Sequence, residues 1–164
     1  MRFESVTGST PLFREMYRNY TEELRSYEPK VPPFTETEYR REILRNPSLF
    51  KFFITDPKEG IVGFIILQKV VQIIRTPAWF IVDFYILPEK RRNGAGTAAF
   101  EHFLRAYKGD FFLYILEKNT PALEFWGTCI KKNELFEVIR PDVPVPENTI
   151  IKFIERGKNN DDSR

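Results

Sequence analysis

The period of apolar and polar positions changes several times along the chain, and each change marks an element. Alternation over residues 2–6 predicts a short strand. Thr10 followed by Pro11 is a helix start, hydroxyl cap then proline at the first helical position, and the helical spacing continues to about Tyr27. Three prolines between Glu28 and Phe34 exclude helix there. Thr35 and Glu38 then make a capping box for a second helix reaching about Arg45. Residues 49–55 and 61–74 are rich in β-branched and aromatic side chains around Asp56-Pro57-Lys58-Glu59-Gly60, which predicts a hairpin. A further strand over 79–87 leads into a glycine-containing loop and a helix over 98–107. The near-continuous apolar run 111–116 reads as a central strand buried on both faces. Asn119-Thr120-Pro121 opens a helix to about Lys132, and 135–139 and 149–155 form a closing pair of strands.

The resulting order, β-α-α-β-β-β-α-β-α-β-β, predicts an α/β (α+β mixed) fold. A single domain over 1–155 is expected, followed by a polar, disordered tail over 156–164. Its sheet is mixed, with the strands ending near Leu87 and Leu116 as the parallel neighbours. Composition agrees with one compact core: 164 residues, 42% apolar and 15% aromatic. The 25 basic and 23 acidic side chains leave +2, too weak a surplus to point to nucleic acid. One cysteine excludes an intramolecular disulfide, and with one histidine it excludes a closed Cys/His zinc site, so no metal is expected. The first residues lack the apolar stretch of a signal peptide, and no run reaches the roughly 18 to 20 apolar residues of a membrane span. The expectation is a soluble cytoplasmic protein without a membrane partner.

The stretch Arg91-Arg92-Asn93-Gly94-Ala95-Gly96-Thr97 lies between a strand and a helix. Glycines there permit positive φ and close backbone approach, so several amides can converge on an anion at a helix N-terminus. A phosphate or pyrophosphate is the natural ligand; an ordinary tight turn is the plain alternative. A Walker loop would need Lys-Ser/Thr after its last glycine, and the dinucleotide fingerprint lies in a first βα unit, so both fit less well.

On these residues the chain resembles the Gcn5-related N-acetyltransferase (GNAT) superfamily. The superfamily's coenzyme A loop, Gln/Arg-x-x-Gly-x-Gly/Ala, is matched at every specified position by Arg91 to Gly96. Phe84-Tyr85-Ile86-Leu87-Pro88-Glu89 resembles its bulged fourth strand, and Asn119-Thr120-Pro121-Ala122-Leu123-Glu124-Phe125-Trp126 resembles its Asn-x-x-Ala-x-x-aromatic segment. The resemblance covers nearly the whole chain. It implies a sheet of six to seven strands, with about four helices and a fourth and fifth strand that splay beside Ile86 and Leu116. Acetyl-CoA would lie in that gap as cosubstrate, its pantetheine arm held by backbone groups around Tyr85, Ile86 and Leu87. Amides from Arg92 through Asn93, Gly94, Ala95 and Gly96 to Thr97 would cradle the pyrophosphate, with Arg91 or Arg92 adding charge. Asn119 would bond near the thioester, alongside Ala122, Phe125 and Trp126.

The implied chemistry is direct attack of an amine on the thioester, with a general base to remove the ammonium proton. Candidates are Asp83 as base, Tyr85 and Tyr114 as relay or substrate-facing groups, and Glu117 at the end of the fifth strand. For Asp83 the plain alternative is an ion pair with a nearby Arg or Lys; for Glu117 it is a solvated strand end. The chain departs from the family at Trp126, where a tyrosine commonly protonates the leaving thiolate; an indole N–H only donates a hydrogen bond. The usual Gly-Phe that follows is replaced by Cys129-Ile130-Lys131-Lys132. Cys129 reads as a small packing residue and His102 as a surface residue. Tyr17, Tyr20, Tyr27 and Glu28 lie where the superfamily builds its acceptor wall, with Tyr27 and Glu28 as substrate candidates. The reading is an N-acetyltransferase acting on a primary amine, preferably of a small molecule, as monomer or homodimer. Acetylation of a protein, peptide or aminoacyl-tRNA, and a non-catalytic acyl-CoA-binding module, are the alternatives.

Overall fold

The computed structural model describes residues 1–8, 10–71 and 77–156. Seven strands form one mixed sheet: β1 (Arg2–Ser5), β2 (Leu49–Asp56), β3 (Gly60–Val70), β4 (Ala78–Ile86), β5 (Phe111–Leu116), β6 (Phe136–Glu137) and β7 (Thr149–Glu155). The strand order is β1-β2-β3-β4-β5-β7-β6. Every neighbouring pair is antiparallel except β4 and β5. This is the mixed α/β fold expected.

Three of the four α-helices start where their caps predict. In α1 (Pro11–Tyr27) the Thr10 hydroxyl accepts from the Phe13 amide at 3.3 Å, and in α4 (Thr120–Lys132) Asn119 accepts from Ala122 at 3.1 Å. Thr35 and Glu38 close the expected box on α2, but α2 is short (Glu36–Glu38) and continues as a π-helical turn over Tyr39–Leu44. That turn places Tyr39 and Ile43 in the core. Helix α3 (Ala95–Ala106) starts three residues before the expected 98, because Ala95, Gly96 and Thr97 already belong to its first turn.

Both sheet faces are covered. On one, α3 and α4 pack Ala99, Phe100, Phe103, Trp126 and Cys129 against Ile65, Ile81, Phe111 and Leu113. On the other, Phe13 and Met16 of α1 join Tyr39, Phe64, Ile66 and Tyr85, while Val143 closes a smaller cluster over Phe112 and Phe153. Strand β5 is therefore buried on both faces, as its unbroken apolar run requires.

Three boundaries differ from expectation. Strand β3 ends at Val70, and residues 72–74 of the longer strand lie outside the described residues. Strand β6 has only two residues; Glu134 at φ 52° precedes it and Ile139 is 93% exposed beyond it. Arg156 is not the start of a loose tail: its guanidinium donates to the carbonyls of Tyr107 (2.6 Å) and Leu104 (2.7 Å) and its amide to Asp110 (3.0 Å). The remainder of the expected tail, 157–164, lies outside the described residues. Among the described residues no helix is long and apolar enough to cross a membrane.

Candidate active site

Strands β4 and β5 pair only at Trp79 with Phe111 and Phe80 with Phe112. From Ile81 and Leu113 onward they diverge, so the splay begins well before Ile86 and Leu116. The register with β3 decides which backbone groups face the opening. Leu87 donates to the Val62 carbonyl at 2.9 Å, and the pairing runs Phe64 to Tyr85 and Ile66 to Asp83. Antiparallel pairing alternates, so the amides and carbonyls of Asp83, Tyr85 and Leu87 turn toward β3. Those of Phe84 and Ile86 turn toward the gap. The backbone groups that face the gap are therefore those of Phe84 and Ile86 and not those of Tyr85 and Leu87, a distinction only the register supplies.

The gap widens into a cavity of about 800 Å³, walled by Tyr20, Glu23 and Tyr27 of α1, Phe84 to Ile86 of β4, the loop before α3, and Asn119 to Trp126 around the start of α4. Gly94, at φ +84°, turns the chain into α3 and carries no side chain to cap it. The first helical bond runs from Ala98 to the Gly94 carbonyl, which leaves the amides of Ala95, Gly96 and Thr97 without an intrahelical acceptor. Gly96 lines the cavity, and a Cβ on it would lie 3.0 Å from the Phe125 ring. An anion at this end gains both the amides and the helix dipole.

The two arginines divide. Arg91 donates through Nε to the Ile86 carbonyl (2.8 Å) and through both terminal nitrogens to Glu23 (3.0 and 2.7 Å), with its guanidinium 5.3 Å from the centre of the Tyr85 ring. Its charge ties α1 to the end of β4 and is not free for a phosphate, which corrects half of the expected pair. Arg92, at φ 65°, is exposed on the cavity rim, and among the described residues it takes part in no ion pair. The Asn93 side chain turns back toward the carbonyls of Lys90 and Arg91. Thr97, in the first turn of α3, also lines the cavity. Asn119 uses its oxygen as the α4 cap and retains its amide hydrogens for the cavity. Trp126 is buried against Phe84, Phe100 and Phe125, with ring centroids 5.0 to 5.3 Å apart.

Asp83 has a phenol as partner where an Arg or Lys was the plain alternative. A bulge shifts the β3–β4 register at Ile66/Leu67, making Val82 the additional residue and placing Asp83 on the face beneath α1. There burial pushes the carboxyl up from 3.8 to about 6, and the neighbouring Tyr20 hydroxyl pulls the other way. The same burial, with Asp83 close by, raises the Tyr20 and Tyr17 hydroxyls well above the ordinary phenol range. Tyr85 is also raised, by burial and then by Glu23.

The structure does not bring Tyr114 into this cavity. Its hydroxyl donates to the Pro144 carbonyl at 2.7 Å, and its ring lines a separate hollow beside Phe80 and Phe112. The Glu28 carboxylate is folded onto its own loop, accepting from the Lys30 amide at 3.0 Å, whereas Tyr27 does line the cavity. Glu117 is exposed at the strand end. Burial pushes the Cys129 thiol up to about 11, in keeping with a packing role. His102 is half-buried, its ring edge-on to Phe3 at 4.6 Å, and not simply a surface residue. Glu23 was not foreseen; its signal is the helical spacing Tyr20-Glu23-Leu24-Tyr27 on α1.

A family model described as the acetyltransferase (GNAT) family matches residues 13–129. No curated protein sequence matches the chain significantly. Among solved structures, an acetyltransferase of the GNAT family from Staphylococcus aureus Mu50 superposes with a TM-score of 0.62 at 13% identity, covering 94% of this chain and 98% of that one. The spermidine N-acetyltransferase from Vibrio cholerae, in complex with CoA and spermine, gives 0.58 at 14% identity, covering 93% and 92%. An aminoglycoside acetyltransferase from an uncultured soil metagenomic sample, in complex with sisomicin, gives 0.56 at 18% identity, covering 88% and 96%. At these identities the solved structures speak for the fold alone.

Proposed function

Because this chain belongs to the acetyltransferase (GNAT) family, whose members use acetyl-CoA as cosubstrate, we propose that it binds acetyl-CoA between β4 and β5 and transfers the acetyl group to a primary amine of a small molecule. The observation that carries the reading is the uncapped start of α3, opening onto the same cavity as the unpaired edge of β4. The amides of Ala95, Gly96 and Thr97 and the Arg92 guanidinium hold the pyrophosphate. The edge groups of Phe84 and the Ile86 amide bind the pantetheine amides as an added strand would, the Ile86 carbonyl being held by Arg91.

The amine attacks the thioester carbonyl, whose developing negative charge is met by a backbone amide of the β4 edge. Asp83 serves as the base for the proton that the nitrogen sheds. Ionised above about pH 6, it is matched to work near neutrality. A thiol with an ordinary pKa near 8.5 leaves as thiolate without an acid, so the indole at Trp126 is no obstacle. The acceptor wall is aromatic, and Glu23, one of its carboxylates, is already paired with Arg91. This composition favours an amine on an apolar body over polycations such as the spermine and sisomicin held by the two neighbours. The test is CoA release with a panel of arylalkylamines, polyamines, aminoglycosides and free-amine peptides. Turnover with arylalkylamines at least tenfold above the polyamines supports the reading, and preference for peptides or polyamines contradicts it.

A further inference from the structure

Asp83 is the carboxylate best matched to base catalysis, yet the cavity wall above it is made by Tyr20 and Tyr85. Tyr20 satisfies two conditions at once: it lines the cavity from α1, and its hydroxyl faces the Asp83 carboxyl on the strand beneath, close enough for each to shift the other's titration. Its ring is fixed edge-on to Phe64 at 5.6 Å and tilted against Tyr85 at 5.6 Å, so the phenol has little freedom to leave this position. Resting on the reading of the cavity as an acetyl-transfer centre, we propose that Tyr20 is the catalytic residue that receives the amine proton, passing its own phenolic proton to Asp83 in the same step.

The step balances. The nitrogen–carbonyl bond forms and the carbon–sulfur bond breaks with its electron pair going to sulfur. One N–H bond breaks as a new O–H forms on Tyr20, while the old Tyr20 O–H bond breaks as one forms on Asp83. The phenol never carries net charge. That matters because burial makes the phenolate costly, and a free tyrosine would be a poor donor of its proton at neutral pH. Coupling to a carboxylate removes the need for a phenolate altogether. The titratable and charged groups around the pair are Tyr17 and Glu23 on α1, Tyr39 on the π-helical turn, and Tyr85 on β4 with Arg91 above its ring. Glu23 is held by Arg91 and the phenols stay neutral, so Asp83 is the group whose ionisation sets the acid limb of the reaction.

The test compares Tyr20→Phe, Asp83→Asn and the double variant. Either single change is expected to lower kcat by about 100-fold, the low end for general acid–base catalysis, with the double variant no worse than either alone. Acetyl-CoA binding by calorimetry should stay within about threefold in Tyr20→Phe. The wild-type kcat should show an acid limb near pH 6 that both single variants lose. Carbon-13 NMR of the Asp83 carboxyl needs no acceptor: removal of the Tyr20 hydroxyl should move its titration upward, because a donor to the carboxylate is lost. Retention in Tyr20→Phe of more than a third of kcat with the acid limb intact would overturn the relay, as would an unmoved Asp83 titration. Loss of acetyl-CoA binding in Tyr20→Phe alone would also overturn it, making Tyr20 part of the donor site. Failure of the wild type to bind acetyl-CoA would remove the functional reading itself, a result distinguishable from all of these.

Discussion

Replacing Asp83 with asparagine should stabilise the protein, and more so as pH rises. Burial beneath α1 moves its titration from 3.8 to about 6, with the Tyr20 phenol nearby pulling the other way. Below pH 3.8 the group is protonated whether the chain is folded or not, and its ionisation has no bearing on stability. As pH rises toward and through 6, the unfolded chain ionises it freely while the folded protein resists, so the stability present at low pH is lost. Integrating between these two values gives a cost of about 2 kcal/mol at pH 5 and about 3 kcal/mol at pH 7.5. Asparagine keeps the shape and cannot titrate, so its advantage over wild type should grow by about 1 kcal/mol between the two pH values. The comparison cancels whatever the amide does to packing, since that part is the same at both pH values. For a chain of this size the change corresponds to about 2–4 °C in the difference between melting temperatures. Calorimetric melts of both proteins at pH 5, 6 and 7.5 measure it. A difference independent of pH would refute the reasoning, and one that turns against asparagine as pH rises would mean that Asp83 is ion-paired after all.

Arg91→Ala should cost about 1–3 kcal/mol by denaturant unfolding, through loss of the bonds to Glu23 and the Ile86 carbonyl, and a double-mutant cycle with Glu23→Gln should show coupling. Arg92→Ala should instead leave stability within about 0.5 kcal/mol and weaken acetyl-CoA binding more than Arg91→Ala does, because Arg92 is the uncommitted cation of the loop. Cys129, buried and pushed up to about 11, should react with iodoacetamide at pH 7.5 about 100-fold more slowly than an ordinary thiol and label fully on denaturation; rapid labelling of the native protein would contradict its placement.

Much of the fold is legible in the chain because its punctuation is local. The Thr10-Pro11 and Asn119-Thr120-Pro121 starts, the glycine loop and the apolar run Phe111–Leu116 lie where local rules put them. What could not be read depends on pairs distant in sequence. Arg91 looks like a phosphate ligand until Glu23, 68 residues earlier, is seen to hold it. Tyr114 looks like a relay until its hydroxyl is seen to donate to the Pro144 carbonyl, 30 residues later. The orientation of Asp83 hangs on one bulge residue, Val82, since shifting strand parity by one exchanges the sheet faces. The same register turns Phe84 and Ile86, rather than Tyr85 and Leu87, toward the gap.

The account rests on the donor cavity, and the most direct measurement is calorimetric titration of acetyl-CoA into the wild-type protein and into Gly94→Asp and Gly96→Asp. A side chain at Gly96 meets the Phe125 ring at 3.0 Å, and either carboxylate would bring negative charge to the open end of α3. Micromolar binding to the wild type that is lost in both variants, with their circular dichroism unchanged, is the predicted result. No binding to the wild type at millimolar ligand, or equal binding to folded variants, would contradict the assignment and reduce the loop to an ordinary turn.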